Sequence, residues 1–336
     1  MRVALITPYY MEAARGNAVT VRRLVRYLLL KGCDLKIFPL DQLTDEEAIS
    51  SVVSGGFEMC HAFHAHLGGR VARKVRELSG SPYLITLTGS DVYEALTDER
   101  RDFVQASLGS ASGIVAFHKV VATRLAMQVA DLANRISIIP QGVDSPPDHS
   151  DLAECGEAGE FTFLLPAGLR PVKNPIFPLR PLAELHRKHP EVRLQIAGPV
   201  LDQEYATQLF GMLPDYPFAR YLGVVDHQAM DILYRHAGVV LNTSHFEGGM
   251  ANALLEAMAR GKPVLVSDIE GNRSLVIDGG NGFLYRDPSE FTSHAEQLLL
   301  NPAMRQRLGM AGRRLVQENH SPEREAAAYL RLYEEI

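Results

Sequence analysis

Gly238-Val-Val-Leu-Asn-Thr-Ser-His-Phe-Glu-Gly-Gly-Met-Ala-Asn-Ala-Leu-Leu-Glu-Ala-Met-Ala259 runs from an apolar, strand-like segment through a glycine-rich turn into a segment of helical spacing. Glycines let a ligand come close to the backbone. A helix N-terminus offers unpaired N–H groups and a partial positive charge to an anion. Glu247 stands on the loop just ahead of the helix, and Glu256 about two turns in, within reach of a sugar hydroxyl. The device suits a sugar carried on phosphate. The bland alternative is that both carboxylates are capping and surface charges, because acidic residues favour helix N-termini anyway.

Outward from this stretch, short apolar runs alternate with amphipathic segments along most of the chain. Strands are expected at Arg2–Thr7, Asp34–Phe38, Glu58–Ala62, Pro82–Leu87, Gly113–Ala116 and Ile136–Ile139, with helices between them such as Ala18–Lys31 and Gly69–Leu78. After a polar, turn-rich break at Ser145–Gly159 the pattern restarts, at Phe161–Pro166, Arg193–Ala197, Ala219–Leu222, Gly238–Asn242 and Pro263–Ser267. Nearly continuous apolar strands separated by helices predict parallel sheets covered on both faces. The expectation is an α/β fold of two doubly wound, Rossmann-like domains facing across a cleft, with ligands beyond the carboxyl ends of the strands. The boundaries are placed at residues 1–150 and 151–320, with a charged C-terminal helix, 321–336, returning to the first domain.

Composition narrows the class. The chain has 336 residues, 46% apolar and 22% charged, which suits a globular protein of two domains. Net charge of −6 argues against a nucleic-acid partner. The charge is uneven: up to Asp144 there are 16 basic and 15 acidic residues, and afterwards 18 and 25. The three cysteines, Cys33, Cys60 and Cys155, have no metal-ligand spacing, and Cys33 and Cys60 read as buried thiols of a reducing cytoplasm. Neither a signal peptide nor an apolar run of membrane-spanning length is visible.

The segment Glu247–Glu256 resembles the paired-glutamate signature of retaining GT-B glycosyltransferases of the group 1, family 4-like class. Three further regions match in order. Ser137–Asp144 resembles the strand and turn before that class's second domain, and Ala167–Asn174 (Ala-Gly-Leu-Arg-Pro-Val-Lys-Asn) its phosphate loop. Gly261–Ser267 and Asn281–Tyr285 resemble its closing strand and Asn-Gly-Phe segment. The wording around Arg170 and Gly271-Asn272 is most similar to the glycosyltransferase 1 domain-containing subgroup. Two departures stand out. Eight residues separate the glutamates where the class has seven, an insertion that falls in the Gly248-Gly249 loop and leaves the helix phase of Glu256 alone. Thr88, in Thr86-Leu-Thr-Gly-Ser-Asp91, occupies a position where histidine is common.

The resemblance assigns roles. Glu247 would hold donor-sugar hydroxyls, Glu256 the nucleotide ribose, and the backbone of Gly248, Gly249, Met250, Ala251 and Asn252 the distal phosphate. Gly168 lies on the phosphate loop, whose Arg170 and Lys173 would neutralise a departing diphosphate; alone, an Arg-x-x-Lys is a solvated loop pair. There is no Asp-x-Asp, so cations and a helix N-terminus would take the place of a metal, and no cofactor is expected. Gly16-Asn17 is either a plain turn with an asparagine cap or a loop closing over donor or acceptor. His118, after the fifth strand, is a candidate for sugar or acceptor contact, against a simple helix-start role. His61, His64 and His66 lack a carboxylate to complete a metal site; one of them lining the cleft is the stronger reading. Arg22, Arg23 and Arg26 read as a solvated helix face rather than a membrane patch.

The implied activity is metal-independent transfer of a sugar from a nucleotide donor to an acceptor hydroxyl with retention of configuration. The acceptor is a small molecule, glycan or lipid, and the protein a monomer or homodimer. The competing readings are a nucleotide-sugar epimerase or phosphorylase on the same fold, and a non-catalytic nucleotide-sugar-binding protein.

Overall fold

The computed structural model describes residues 1–11, 16–129, 131–144, 146 and 159–336. Most of the Ser145–Gly159 break, Cys155 and the end of the loop before Gly16 lie outside the described residues. Contacts divide the chain into two compact units. One comprises Met1–Gly142, Gly248–Met250 and His320–Ile336; the other Val143–Glu247 and Ala251–Asn319.

In the first unit, β1 (Arg2–Thr7), β2 (Asp34–Pro39), β3 (Met59–Phe63), β4 (Tyr83–Thr86), β5 (Gly113–Ala116) and β6 (Ile136–Ile138) form a parallel sheet of order β2-β1-β3-β4-β5-β6. Helices α1 (Gly16–Leu30), α2 (Asp45–Ser54), α3 (Gly69–Ser79), α4 (Ser90–Tyr93), α5 (Arg101–Ser110) and α6 (Lys119–Gln128) connect the strands. The period of two explains the apolar runs. Ala4 and Ile6 of β1 enter one core with Val71 and Val75 of α3, while Val3 and Leu5 enter another with Leu24 and Leu28 of α1.

The second unit repeats the plan with β7 (Phe161–Pro166), β8 (Val192–Ala197), β9 (Ala219–Tyr221), β10 (Val239–Asn242), β11 (Val264–Ser267) and β12 (Phe283–Tyr285), ordered β12-β11-β10-β7-β8-β9. Its helices are α7 (Leu179–Lys188), α8 (Gln203–Met212), α9 (His227–His236), α10 (Asn252–Ala259), α11 (Glu270–Arg273), α12 (Pro288–Leu300) and α13 (Pro302–Asn319). The strand β12 is the one strand among the described residues that the sequence reading did not list.

The chain then breaks at His320-Ser321. Ser321 caps the last helix, α14 (Pro322–Glu335), which starts with proline at its first position. This helix belongs to the first unit, where Ala326, Tyr329 and Tyr333 join the core beside α1. Polar links help to secure it. Arg23 of α1 pairs with Glu325 at 3.4 Å, both side chains being buried. Glu325 Oε2 also accepts from the Gly142 N–H at 3.0 Å. Arg23 is therefore not part of a solvated face, as its spacing with Arg22 and Arg26 suggested. Its charge is consumed by a carboxylate from the far end of the sequence. Cys60 is buried, and its thiol is pushed up to about 12 by burial. Cys33 is only half-buried.

Candidate active site

In the second sheet the strand order reverses between β7 and β10, and loops leaving the carboxyl ends of such a pair form the natural ligand site. The loop after β7 carries Gly168, Arg170 and Lys173; the loop after β10 carries Glu247. They are stitched together by the backbone. A short 3-10 turn, Pro171–Lys173, ends at Asn174 in the left-handed conformation (φ 47°). Its Val172 carbonyl accepts from the His245 N–H at 2.9 Å, and its Lys173 carbonyl from Thr243 Oγ1 at 2.8 Å. Lys173 Nζ thereby reaches Glu247 Oε1 at 2.5 Å.

The same carboxylate oxygen accepts from Ser244 Oγ at 2.7 Å and Asn242 Nδ2 at 3.0 Å. Glu247 is 8% exposed. Burial is the largest single influence and raises its pKa. The Lys173 charge and the bonds from Lys173, Ser244 and Asn242 together outweigh it, so the carboxyl sits below its ordinary value. All three bonds fall on Oε1, and among the described residues Oε2 accepts none. Arg170 is exposed, and no carboxylate among the described residues pairs with it.

Asn242, Ser244, Gly271 and Asn272 are the members of this site to which the sequence reading gave no role. Asn272, fully buried, donates to the Ser267 carbonyl at 2.9 Å, and Ser267 Oγ donates to the Ser244 carbonyl at 2.6 Å. A Cβ on Gly271 would lie 2.4 Å from the Glu247 carbonyl oxygen, so only glycine lets α11 lie against this residue. The signal available was a polar residue, Asn242, closing an otherwise apolar strand.

Ala251 is the N-cap of α10 and supplies no capping side chain. A helix N-terminus carries a partial positive charge that favours an anion. Glu256 is the fifth residue of α10, a little more than one turn in. Its Oε2 accepts from the Tyr234 hydroxyl at 2.8 Å. Burial and the neighbouring Glu256 charge hold that phenol well above its ordinary pKa, so it stays a donor. Glu256 thus has a fixed orientation that its helical position alone did not reveal.

In the first unit, the histidine cluster separates into distinct roles. His61 is fully buried, with Nδ1 2.6 Å from Tyr333 Oη and Nε2 2.8 Å from Thr86 Oγ1, which lies 3.0 Å from Tyr329 Oη. It fastens β3 and β4 to α14 and lines no ligand site, and burial lowers its pKa to about 3. His64, at φ 70°, accepts at Nδ1 from the N–H groups of His66 and Leu67, so its Nε2 carries the proton directed at Ser90 Oγ, 3.1 Å away. Asp91 collects the N–H groups of Ala65, Thr88 and Gly89. His118 occupies the N-cap position of α6, its side chain making no capping bond to that helix, and is 5% exposed. Gly16 and Asn17 are the first two residues of α1, so Asn17 lies inside the helix rather than capping it. Gly248, Gly249 and Met250 group by contact with this unit, where a Cβ on Gly248 would meet Gly89 Cα at 2.1 Å.

Two parallel six-stranded sheets, with a lysine–glutamate pair at the switch point of the second, make an α/β fold of GT-B architecture. Residues 156–315 match the model of the family "Glycosyl transferases group 1", and the chain is similar to glycosyltransferases along most of its length. It is 28% identical over 333 residues, 95% of its length, to glycosyltransferase 1 domain-containing protein 1 of Xenopus tropicalis, covering 94% of that protein. To the D-inositol 3-phosphate glycosyltransferase of Frankia alni it is 28% identical over 288 residues, 77% of this chain and 70% of that one. Among solved structures, Anabaena HepE with UDP and glucose superposes with a TM-score of 0.84 at 16% identity, covering 100% of both chains. Sucrose-phosphate synthase of Thermosynechococcus elongatus does so with 0.82 at 20% identity, covering 99% of this chain and 98% of that one.

Proposed function

We propose that the enzyme moves a sugar from a nucleoside-diphosphate sugar to an acceptor hydroxyl with retention of configuration and without a metal. The observation that carries this reading is the Lys173–Glu247 pair beside the N-terminus of α10. Glu247 Oε2 takes a donor-sugar hydroxyl. Arg170, Lys173 and the N–H groups from Gly249 to Asn252 receive the diphosphate, and Glu256 takes the ribose. Gly168 lets the phosphate loop after β7 pack against Leu201, where a Cβ would lie 2.6 Å from the Leu201 Cδ1.

As the anomeric C–O bond to phosphate breaks, the acceptor oxygen bonds to the same face of that carbon, and its proton passes to the leaving phosphate oxygen. No protein nucleophile is then required. Charge building on the diphosphate is the largest demand of the transition state, and two cations with preoriented N–H groups meet it. Gly16-Asn17 closes over the donor phosphate or the acceptor and His118 meets the sugar or the acceptor, which is a small molecule, glycan or lipid, in the cytoplasm. HepE, a structure with UDP and glucose, supports a uridine donor.

A thermal-shift screen over UDP-, GDP- and ADP-sugars tests the reading, because a bound ligand raises the melting temperature by mass action. One sugar nucleotide should shift wild type but not the double variant Arg170→Ala/Lys173→Ala. No shift with any of them contradicts the proposal. Conversion of the donor to its epimer in the absence of acceptor would favour the rival reaction.

A further inference from the structure

At the opposite edge of the second sheet, where β7, β10 and β11 begin, a cavity of about 870 Å³ opens beside Phe161, Gly238 and Pro263. Six cationic side chains line it, Arg235, Arg260, Lys262, Arg305, Arg313 and Arg314, together with His236 and a single carboxylate, Glu160. This is the reverse of its surroundings, since the chain after Asp144 carries 18 basic and 25 acidic residues. The carboxylates nearby are already engaged: Glu160 holds Arg193 Nε at 2.7 Å, and Asp231 is shared by Arg235 and Arg260.

Cations often gather at helix C-termini, and part of this group does that work. Arg260 Nη1 donates to the Glu256 carbonyl at 3.0 Å, Lys262 Nζ to the Arg235 carbonyl at 2.6 Å, and Arg305 Nη1 to the Leu298 carbonyl at 2.7 Å. A carbonyl accepts a hydrogen bond without cancelling formal charge, and although Asp231 offsets one charge of the Arg235–Arg260 pair, the lining holds six cationic side chains against one carboxylate. Arg313 and Arg314 are not at a helix end. They stand mid-helix on the face of α13 that also sends Gln306 and Met310 to the cavity. That wall is held close: a Cβ on Gly309 would lie 1.8 Å from the Gly261 carbonyl oxygen, so α13 rests on backbone there.

We infer that this cavity is a second binding site, for a phosphorylated small molecule or phospholipid headgroup. Its volume suits a small-molecule ligand, its arginines match phosphate oxygens in bidentate geometry, and Phe161 and Met310 offer apolar surface to the ligand's body. The site lies at the amino ends of the strands, away from Arg170, Lys173 and Glu247 at their carboxyl ends.

The test is titration calorimetry with sodium tripolyphosphate on the full chain, in wild type, in Arg170→Ala/Lys173→Ala and in that variant with Arg313→Glu/Arg314→Glu added. Arg314→Gln serves as a milder second variant; Arg313 is half-buried and Arg314 exposed. The expected result is binding by wild type and by the Arg170/Lys173 variant, and in that background a weakening of about tenfold or more when Arg313→Glu/Arg314→Glu is added and less with Arg314→Gln. Co-sedimentation with phosphatidylcholine vesicles containing phosphatidic acid separates the sources. Vesicle binding lost in the same Arg313/Arg314 variants supports the headgroup form of the ligand, and tripolyphosphate binding alone supports the soluble form. Tripolyphosphate binding that survives when Arg313→Glu/Arg314→Glu is added to Arg170→Ala/Lys173→Ala, or no binding by wild type to either probe, overturns the inference.

Discussion

Lys173 Nζ lies 2.5 Å from Glu247 Oε1, which joins the loop after β7 to the loop after β10 through one ion pair. The carboxylate is nearly inaccessible, so its charge is tolerable only with this partner and the bonds from Ser244 and Asn242. Removing one member of such a pair leaves an uncompensated charge. Lys173→Met should lower stability by about 3 kcal/mol, the low end for a buried pair because the lysine is partly exposed. Lys173→Met/Glu247→Gln should recover part of that loss. Thermal unfolding of the three proteins checks both statements.

The depressed pKa of Glu247 makes a pH prediction with a definite sign. A carboxyl held below its unfolded value stabilises the fold above about pH 4.5 and loses that contribution as pH falls through the folded value. The stability gap between wild type and Glu247→Gln should therefore be constant from pH 7 to 5 and narrow below 4.5. A gap that does not change on acidification would show that the carboxylate is not stabilised by its partners.

His61 behaves in the opposite range. Its folded pKa of about 3 lies below that of an unfolded histidine, so the unfolded state takes up a proton first as pH falls below about 6.5. Wild type should lose stability on acidification by about 1.4 kcal/mol per pH unit from this group alone. The difference between wild type and His61→Gln should shrink by about 2 kcal/mol between pH 7 and 5. Denaturant unfolding at the two pH values measures it.

The pair Arg23–Glu325 ties α1 to the last helix across 302 positions of sequence. Glu325→Ala should cost about 3 kcal/mol by removing a buried carboxylate partner of Arg23 and the acceptor of the Gly142 N–H. Arg23→Met/Glu325→Leu should be closer to wild type than Glu325→Ala. Melting temperatures of the three proteins decide it.

Much of this was legible beforehand for a physical reason. Strands buried on both faces must be apolar at every position, so runs such as Val3–Ile6 and Val239–Leu241 announce themselves without structure. Arg170, Lys173, Glu247 and Glu256 came from motif likeness, and the structure brings Lys173 and Glu247 into contact. Long-range partnerships left no local trace. Nothing in a pattern of period two or 3.6 links His61 to Tyr333, Arg23 to Glu325 or Gly271 to Glu247. The cluster of Arg22, Arg23 and Arg26 misled for the same reason, since local spacing cannot tell a solvated cation from one met by a distant carboxylate.

The role of Glu247 is tested most directly by Glu247→Gln, which keeps the side chain's shape and removes its charge. Donor affinity and turnover should be measured on the same preparation, by calorimetry with the sugar nucleotide found in the screen and by donor consumption. The account predicts donor binding within about threefold of wild type and turnover reduced about 100-fold or more, because the carboxylate acts on the sugar as charge develops. Unchanged turnover in that variant would contradict the assignment of Glu247.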